Sequence, residues 1–460
     1  MTTPGNDALG GSFRDPSGFV FTEKGNLYRQ VNRLYKDDYD HLMRSGLYED
    51  LTRSGLLVAH EQVGAELARS DDAYKVLKPE RIPFVSYPYE WCFSELKDAA
   101  LATLAVQKKA FEHGMSLKDS SGYNIQFLRA HPVLIDTLSF ERYREGEPWV
   151  AYRQFCQHFL APLALMSRRD VRLGRLLQIH LDGIPLDLAS RLLPARTRLK
   201  PSLLMHIHLH ARSQQRYADK TVRTEGRKVG RLGFQGVIDS LESAVKKLTW
   251  HPAGTEWAEY YDDTNYSADA LDEKARHLGE YLDRVNPKVV WDLGANVGRF
   301  SRIAAGKGAF TVAFDIDPAA VEKNYLDCRK RGETRILPLI LDLTNPPPAI
   351  GWENRERLSL LERAPADTAL ALALIHHLAI SNNLPLERVA RLFAEICTSL
   401  IIEFVPKSDS QVQRLLATRE DIFTEYTQEK FEKTFAEHFT LDASTHISGT
   451  ERTLYLMRKR

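Results

Sequence analysis

The sequence has 460 residues, enough for two or three domains with well-packed cores. Lysine and arginine total 62 against 61 acidic residues, so the net charge of +1 shows no basic excess of the kind that marks nucleic-acid binding. The apolar content of 43% excludes a mainly disordered chain, and no apolar run is long enough to cross a bilayer. The first residues lack the pattern of a secretory signal and the four cysteines are far apart, so we expect a cytoplasmic protein without membrane partners.

The first half of the chain predicts an α+β domain, with strand and hairpin patterns over about ninety residues and helical patterns after them. A strongly amphipathic helix, SELKDAALATLAVQKKAFEHG, ends at Gly114. Asp119 and Asn124 follow with D-x4-N spacing, and Asp136 comes after the next hairpin pattern. Kinase-type phosphoryl transfer uses an aspartate that orients the acceptor hydroxyl, an asparagine five residues later and a further aspartate, the last two as metal ligands.

The order of strand, hinge, long helix, loop and hairpin, together with these three residues, resembles the aminoglycoside-phosphotransferase-like kinases. The resemblance implies a kinase-like lobe that binds ATP with magnesium. The sequence departs from that family because no histidine precedes Asp119 in the catalytic loop, and Arg29 and Lys36 are poor substitutes for the nucleotide-binding lysine. We favour a pseudokinase used for docking, and the alternative is a set of turn residues whose spacing is coincidental.

The stretch LLMHIHLH places His206, His208 and His210 at alternate positions. In a strand they would share one face and could present ring nitrogens to a metal ion. No acidic or cysteine partner stands nearby and the flanks are basic. A packed or solvated face is therefore favoured, and no metal site is predicted.

The charged stretch at residues 216–233 has little apolar periodicity and predicts a linker. We place the boundary near residue 235, which gives an N-terminal domain at 1–235 and a C-terminal domain at 236–460. After Lys288, apolar strand-like runs alternate with helical stretches, the pattern of a parallel α/β sheet built from βαβ units.

The run VVWDLGANVGRF predicts a buried strand that ends at Asp292, a glycine-containing loop and a helix. Gly294 allows a tight turn and the close approach of a ligand, and Gly298 allows the loop and the helix to pack closely. The next two strand patterns, FTVAFDID and ILPLILDL, end in Asp315 and Asp342. Because open α/β sheets bind ligands at the carboxyl ends of their strands, we expect a site at this edge. A carboxylate at Asp315 can accept both hydroxyl hydrogens of a ribose, and Asp342 can accept from an adenine amino group.

The loop reads G-A-N-V-G rather than G-x-G-x-x-G, which disfavours a pyrophosphate-binding dinucleotide site. With its three acids it resembles the class I S-adenosylmethionine-dependent methyltransferases, over residues 288–460. The resemblance implies a Rossmann-like seven-stranded sheet, closed by an antiparallel pair at the chain's end, and S-adenosylmethionine as the cofactor. The cofactor-binding residues that it implies are Asp292, Gly294, Asn296, Gly298, Asp315 and Asp342.

The resemblance assigns Asp292 and the loop 294–298 to the methionine part of the cofactor, Asp315 to the ribose and Asp342 to the adenine. Asp317 is an alternative to Asp315, because it lies two residues further on and points to the same face. The segment that contains Tyr260, Tyr261, Asn265 and Tyr266 precedes the first strand, and is expected to cover the cofactor.

His376 and His377 follow the fourth strand pattern, at the edge where the resemblance places the methyl group. Methyl transfer is an in-line displacement that depends mainly on alignment, and a histidine can take the proton of a hydroxyl or nitrogen acceptor. We therefore predict His376 and His377 as candidates for the catalytic base. The alternative is that one caps the loop and the other is packed. Glu403, Phe404 and Lys407 follow the next strand pattern and are expected to line the acceptor cleft.

The runs NPPPAIGWENRERLSL and ALALIHHLAI resemble a narrower group, the bacterial methyltransferases of the nodulation protein NoeA type, over the full chain. This resemblance implies methyl transfer and names no acceptor, which can be a small molecule or a macromolecule. Asn345 and the three prolines after it follow the third strand rather than the fourth and lack an aromatic residue, unlike the tetrads for amino-nitrogen acceptors, so an oxygen acceptor is favoured. The alternative function is a kinase-like phosphotransferase or pseudokinase scaffold with an auxiliary methyltransferase domain.

Overall fold

The computed structural model describes residues 9–217, 229–252, 267–417 and 419–460. The chain forms two compact units. Unit 1 comprises Met1–His251 together with Ala349–Arg357, and unit 2 comprises Pro252–Pro348 and Leu358–Arg460. None of the helices in the described ranges combines the length and the hydropathy needed to span a bilayer.

Unit 1 begins with four antiparallel strands, β1 (Gly18–Glu23), β2 (Asn26–Asn32), β3 (His60–Val63) and β4 (Ala73–Pro79). They pair in the order β1-β2-β4-β3. The turn between β1 and β2 has positive φ at Lys24 and Gly25, as a two-residue hairpin turn requires. Two helices, α1 (Lys36–Arg44) and α2 (Leu47–Arg53), connect β2 to β3.

The amphipathic pattern predicted before Gly114 is a long helix, α3 (Phe93–Glu112). Gly114 follows it with positive φ, a conformation that glycine adopts without strain at the end of a helix. Two short antiparallel pairs come next, β5 (Met115–Leu117) with β8 (Phe140–Arg142) and β6 (Ile125–Leu128) with β7 (His131–Leu134).

The rest of unit 1 is helical in its described residues. Its helices are α4 (Tyr152–Phe155), α5 (Ala161–Arg168), α6 (Leu176–Ile179), α7 (Leu186–Leu192), α8 (Pro201–Leu203), α9 (His210–Tyr217) and α10 (Arg231–Lys247). Cys156–Leu160 and Leu204–Leu209 form π-helical turns.

The two units divide after His251, later in the chain than the predicted residue 235. Residue 235 lies inside α10, which packs against α3 and therefore stays with unit 1. The rings of Phe234 and Phe111 stack with their centroids 4.9 Å apart, and Lys108 donates to Glu242 at 2.7 Å.

The segment Ala349–Arg357 departs from the predicted range 236–460, because it belongs to unit 1. The Arg357 guanidinium lies 4.2 Å from the centroid of the Tyr123 ring, a cation–π contact. Glu356 is buried and forms an ion pair with Arg14. These contacts hold a stretch of the C-terminal sequence within the N-terminal unit.

Unit 2 is built on a seven-stranded sheet. Its strands are β9 (Val289–Leu293), β10 (Phe310–Asp315), β11 (Ile336–Ile340), β12 (Ala366–Ala371), β13 (Cys397–Phe404), β14 (Phe439–His446) and β15 (Thr453–Lys459). They lie in the order β11-β10-β9-β12-β13-β15-β14, with the first five parallel and the last two forming an antiparallel pair. The predicted α/β fold and the closing pair are confirmed.

The strand sequences fit this arrangement. The parallel strands are almost wholly buried, which explains their continuous apolar runs. Pro338 lies in β11, an edge strand, where the missing N–H of a proline costs no ladder hydrogen bond. The helices of unit 2 are α11 (Ala268–Val285), α12 (Arg299–Gly306), α13 (Pro318–Arg331), α14 (Leu386–Ile396), α15 (Ser410–Leu416) and α16 (Gln428–Phe435).

Candidate functional site

A cavity of about 400 Å³ opens at the carboxyl ends of β9, β10, β11 and β12. The chain runs outward from β9 to β11 and then returns to β12 on the other side of β9, and such a reversal of strand order is where open α/β sheets bind ligands. The cavity is lined by residues from all four strand ends, among them Gly294, Asn296, Asp315, Asp342 and His377. Sequence elements predicted as a cofactor site thus come together in one place.

The loop after β9 has an unusual backbone. Gly294, Asn296 and Gly298 all have positive φ, at 79°, 51° and 78°. A Cβ on Gly298 would lie 2.4 Å from Oδ1 of Asn324 on α13, so only glycine fits there. Gly294 and Asn296 line the cavity, whereas Gly298 acts through close packing and does not.

Asp315 lies at the end of β10, and both of its carboxylate oxygens accept backbone hydrogen bonds. Its Oδ2 accepts from the backbone N–H of Asn296 at 2.7 Å, and its Oδ1 accepts from that of Asp317 at 2.9 Å. Burial raises the pKa of Asp315 to about 6, against the opposing effect of these hydrogen bonds. Asp317 instead caps α13 by accepting from the Ala319 N–H at 2.8 Å, and of the two aspartates it is Asp315 that lines the cavity.

Asp342 lines the cavity directly after β11. Its Oδ1 accepts from the Thr344 N–H at 2.9 Å and from the Thr344 hydroxyl at 2.6 Å. This turn fixes one carboxylate oxygen and leaves the other to meet a ligand donor.

Asp292 lies at the end of β9 but does not line the cavity, contrary to the expectation that it holds the cofactor directly. It is 2% exposed, and its Oδ2 accepts from the Ser301 hydroxyl of α12 at 2.6 Å. Burial, and then the nearby charge of Asp315, raise the pKa of Asp292 to about 6 against the effect of the Ser301 hydrogen bond. This hydrogen bond joins the end of β9 to α12 on either side of the loop.

The two adjacent histidines have different environments. His377 lines the cavity at the start of a π-helical turn, His377–Ser381, a type of turn that is frequent at functional sites. His376 is 1% exposed and does not line the cavity, so it is not placed to touch an acceptor there. Burial lowers the pKa of His377 to about 4, with a smaller effect of Arg452, and lowers the pKa of His376 well below its usual value.

Buried ion pairs in unit 2 were not expected from the sequence. Lys274 of α11 donates to Glu403 at 2.8 Å, and Arg452 donates to Asp409 at 2.7 Å. Glu403 is fully buried in this pair and does not line the cavity, and its predicted place in an acceptor cleft stays a prediction. Lys274 stands on the apolar side of α11, four residues before the buried Leu278, and this position is the signal that could have revealed it.

The other residues predicted for the cleft also lie elsewhere. Phe404 is buried and stacks on Tyr426, and the half-buried Lys407 pairs with Asp421 at 2.8 Å. The predicted cover residues, Tyr260, Tyr261, Asn265 and Tyr266, lie outside the described residues.

In unit 1, Asp119 accepts from the Ser121 N–H at 2.8 Å, and the Asn124 amide donates to the Ser139 hydroxyl at 3.3 Å. Burial raises the pKa of Asp119, and the nearby Asn124 side chain has a smaller, opposing effect. Asp136 forms an ion pair with Arg29 of β2, and its other oxygen accepts from the Ser139 hydroxyl at 2.6 Å. A guanidinium therefore occupies the carboxylate that a kinase would use for magnesium. In the described ranges, no group of three or more His, Cys, Asp or Glu residues is arranged to hold a metal ion. These residues do not fit magnesium-bound ATP.

The three alternating histidines do not form a strand face. His206 and His208 lie in the π-helical turn Leu204–Leu209. His206 bonds the Tyr152 hydroxyl at 2.7 Å and the Ser240 hydroxyl at 2.9 Å. His208 bonds two hydroxyls in the same way, so both rings are packed residues.

Several solved structures are similar to part of this chain, among them the following two. One is magnesium protoporphyrin IX methyltransferase from Synechocystis PCC 6803, at 15% identity over 44% of this chain and 93% of that chain, with a TM-score of 0.32. Another is the N-methyltransferase NodS from Bradyrhizobium japonicum WM9, at 12% identity over 42% of this chain and 98% of that chain, with a TM-score of 0.30. No protein-family model matches the chain.

A relative covers almost the whole sequence. Nodulation protein NoeA of Rhizobium meliloti (strain 1021) is 34% identical over 459 residues, which is 98% of this chain and 96% of the relative. The match spans both units, so the predicted resemblance over the full chain is confirmed. The chain belongs to the family of nodulation protein NoeA.

Proposed function

We propose that this protein is an S-adenosylmethionine-dependent methyltransferase whose cofactor site is the cavity of unit 2. The observation that carries the proposal is the convergence of Gly294, Asp315 and Asp342, from three strand ends, on one cavity. The volume of about 400 Å³ lies in the range of small-molecule sites.

The charge of the cavity favours this cofactor over a dinucleotide. Asp315 and Asp342 line it, and no lysine or arginine does so among the described residues. Two carboxylates without a cation would repel a pyrophosphate, whereas the sulfonium and ammonium groups of S-adenosylmethionine are both positive. The remaining lining is mainly apolar, with Ile316, Leu341 and Leu343 near the two acids in the chain.

Each cavity residue has a role that follows from its chemistry. Asp315 accepts hydrogen bonds from the ribose hydroxyls, since a carboxylate oxygen already bonded to one backbone N–H can accept a second donor. Asp342 accepts from the adenine amino group. The loop that contains Gly294 and Asn296 receives the methionine part, and Asp292 holds that loop in place through Ser301.

The acceptor side is assigned to His377. S-adenosylmethionine, when bound, supplies an activated methyl group. His377 is an unprotonated imidazole at neutral pH, because its pKa lies near 4, and in this form it can accept a hydrogen bond from an acceptor hydroxyl and orient it. We favour an oxygen acceptor, because Asn345 and the prolines after it do not form the tetrad of amino-nitrogen methyltransferases.

The kinase alternative lacks a supporting observation. Asp136 is neutralised by Arg29, so a phosphotransferase would have to work without its second metal ligand. Unit 1 is therefore assigned no phosphoryl-transfer role.

Calorimetry with the full chain tests the proposal. S-adenosylhomocysteine, NAD⁺ and magnesium–ATP are titrated into separate samples of one preparation. We expect micromolar binding of S-adenosylhomocysteine and no heat from the other two. Binding of NAD⁺ with no response to S-adenosylhomocysteine would overturn the proposal.

A further inference from the structure

Unit 1 contains a second cavity, of about 790 Å³, that the methyltransferase proposal does not use. It lies between the start of the helical region at residues 150–158 and the loop at residues 179–185, with Lys118 from the segment after β5. Its volume falls in the upper part of the range for small-molecule sites.

The charged residues of this cavity favour an anion. Its lining includes Lys118 and Arg153, against one carboxylate, Asp182. Lys118 is held in place by a hydrogen bond to the Ser17 hydroxyl at 3.1 Å and lies 3.7 Å from Asp15. Arg153 is exposed, and none of the ion pairs within the part of the chain that the structure describes includes it. A ligand anion would supply the missing partner for this guanidinium.

The neutral polar residues of the cavity favour hydroxyl groups. His158 lines the cavity and is 2% exposed. Burial, and then the charge of Arg357, lower the pKa of His158 to about 3, so the ring is neutral at physiological pH. A neutral imidazole carries one donor and one acceptor, which suits a hydroxyl rather than a second anionic group. The Gln157 amide, also in the lining, offers both kinds of partner as well.

The mouth of the cavity is apolar. Val150 is 61% exposed and Ile179 is 74% exposed, and both line the cavity. Two large apolar side chains beside exposed charged groups can cover the C–H face of a ligand that carries hydroxyls on its other side.

We propose that this cavity binds a small hydroxylated anion, with Arg153 and Lys118 facing its charged group and His158 and Gln157 facing its hydroxyls. The charged group is a phosphate ester or a carboxylate. This binding is independent of the proposed methyltransferase function, because it uses residues of unit 1 alone.

The full chain is titrated calorimetrically with D-glucose 6-phosphate, D-gluconate and D-glucose, each up to about 10 mM. We expect binding of at least one of the two anions and none of the uncharged sugar. The two anions distinguish a phosphate ester from a carboxylate. Absence of binding by both anions, or equal binding of glucose, would overturn the proposal.

Arg153→Gln then locates the site. We expect this substitution to lower the affinity for whichever anion binds by about tenfold, because a charge-assisted hydrogen bond is lost. The matched control is Arg196→Gln, because Arg196 is an exposed arginine of the same unit that does not line the cavity. Equal affinity in the two variants would contradict the assignment, and thermal unfolding of both confirms that they fold.

Discussion

Asp136 of unit 1 and Asp315 of unit 2 are both aspartates at the end of a strand or hairpin. Their pKa values are shifted in opposite directions. Burial alone would raise the pKa of Asp136, yet the charge of Arg29 and hydrogen bonds from Ser139 and Leu138 lower it below its usual value. Asp315 has backbone donors only, with no arginine or lysine paired to it among the described residues, and burial raises its pKa to about 6.

Under the proposed function, the difference separates a structural carboxylate, Asp136, from one that binds a ligand, Asp315. An aspartate with an internal countercharge needs no further partner, and adding a metal ion would require displacing the arginine. An aspartate buried without a countercharge is less stable in its ionised form, and a ligand that supplies hydroxyl donors or positive charge relieves that instability. Position in the sequence does not distinguish the two cases, whereas the surrounding charges do.

The largest expected effect is on unit 1. Arg29→Met leaves Asp136 buried without its cation, so we expect the free energy of unfolding to fall by about 3 kcal/mol. Urea unfolding measures the change. The matched control is Arg44→Met, which breaks an exposed pair with Asp40 and should cost less than about 0.5 kcal/mol. Equal effects of the two substitutions would remove the basis for calling Asp136 structural.

Asp292→Asn tests the case of a buried carboxylate whose pKa is raised rather than lowered. The pKa of Asp292 in the folded protein, about 6, lies above its ordinary unfolded value, so the folded state binds more protons between about pH 4 and 6 and stability falls as the pH rises through that window. The substitution removes this cost. We expect the variant to be more stable than the wild type by about 3 kcal/mol at pH 8 and unchanged at pH 4. A loss of stability at both pH values in urea unfolding would contradict this account.

Cofactor affinity should depend on pH in the direction set by Asp315. In the proposed site the ribose bonds the ionised carboxylate of Asp315, which is the minor form below the pKa of about 6. We therefore expect the affinity for S-adenosylhomocysteine to be constant above about pH 7 and to fall about tenfold between pH 7 and pH 5. Calorimetry across this pH range measures the affinity. Tighter binding at pH 5 than at pH 7 would contradict the prediction.

The smallest effects concern the two histidines. His377→Gln should change the affinity for S-adenosylhomocysteine by less than about threefold, because His377 is assigned to the acceptor. His376 is buried with neither ring nitrogen hydrogen-bonded in the described residues, so His376→Phe should alter the free energy of unfolding by less than about 1.5 kcal/mol. A large loss of cofactor affinity in His377→Gln would move that residue to the cofactor side.

The C-terminal fold was predictable because its signals are local. The strands β9, β10 and β11 are continuous apolar runs that end in acids, and parallel pairing then brings Gly294, Asp315 and Asp342 to one edge. The sequence favours Asp315 over Asp317 only because Asp315 lies nearer the strand end, and the structure adds that Asp317 caps the first turn of α13.

The remaining features depend on contacts between distant residues. Arg29 meets Asp136 across 107 positions, and nothing local to either residue indicates the pair. His376 and His377 are neighbours in sequence, and only the π-helical turn decides which of them lines the cavity. The return of the segment Ala349–Arg357 to unit 1 likewise follows from tertiary packing rather than from periodicity.

The most direct test of the central claim is the affinity of Asp315→Asn for S-adenosylhomocysteine at pH 7.5, measured by calorimetry beside the wild type. The control is Asp283→Asn, which alters an exposed carboxylate of the same unit. We predict a loss of about 100-fold for Asp315→Asn, from two weakened charge-assisted hydrogen bonds, and no change for the control. Undiminished affinity in a folded Asp315→Asn protein would contradict the assignment of this cavity to the cofactor.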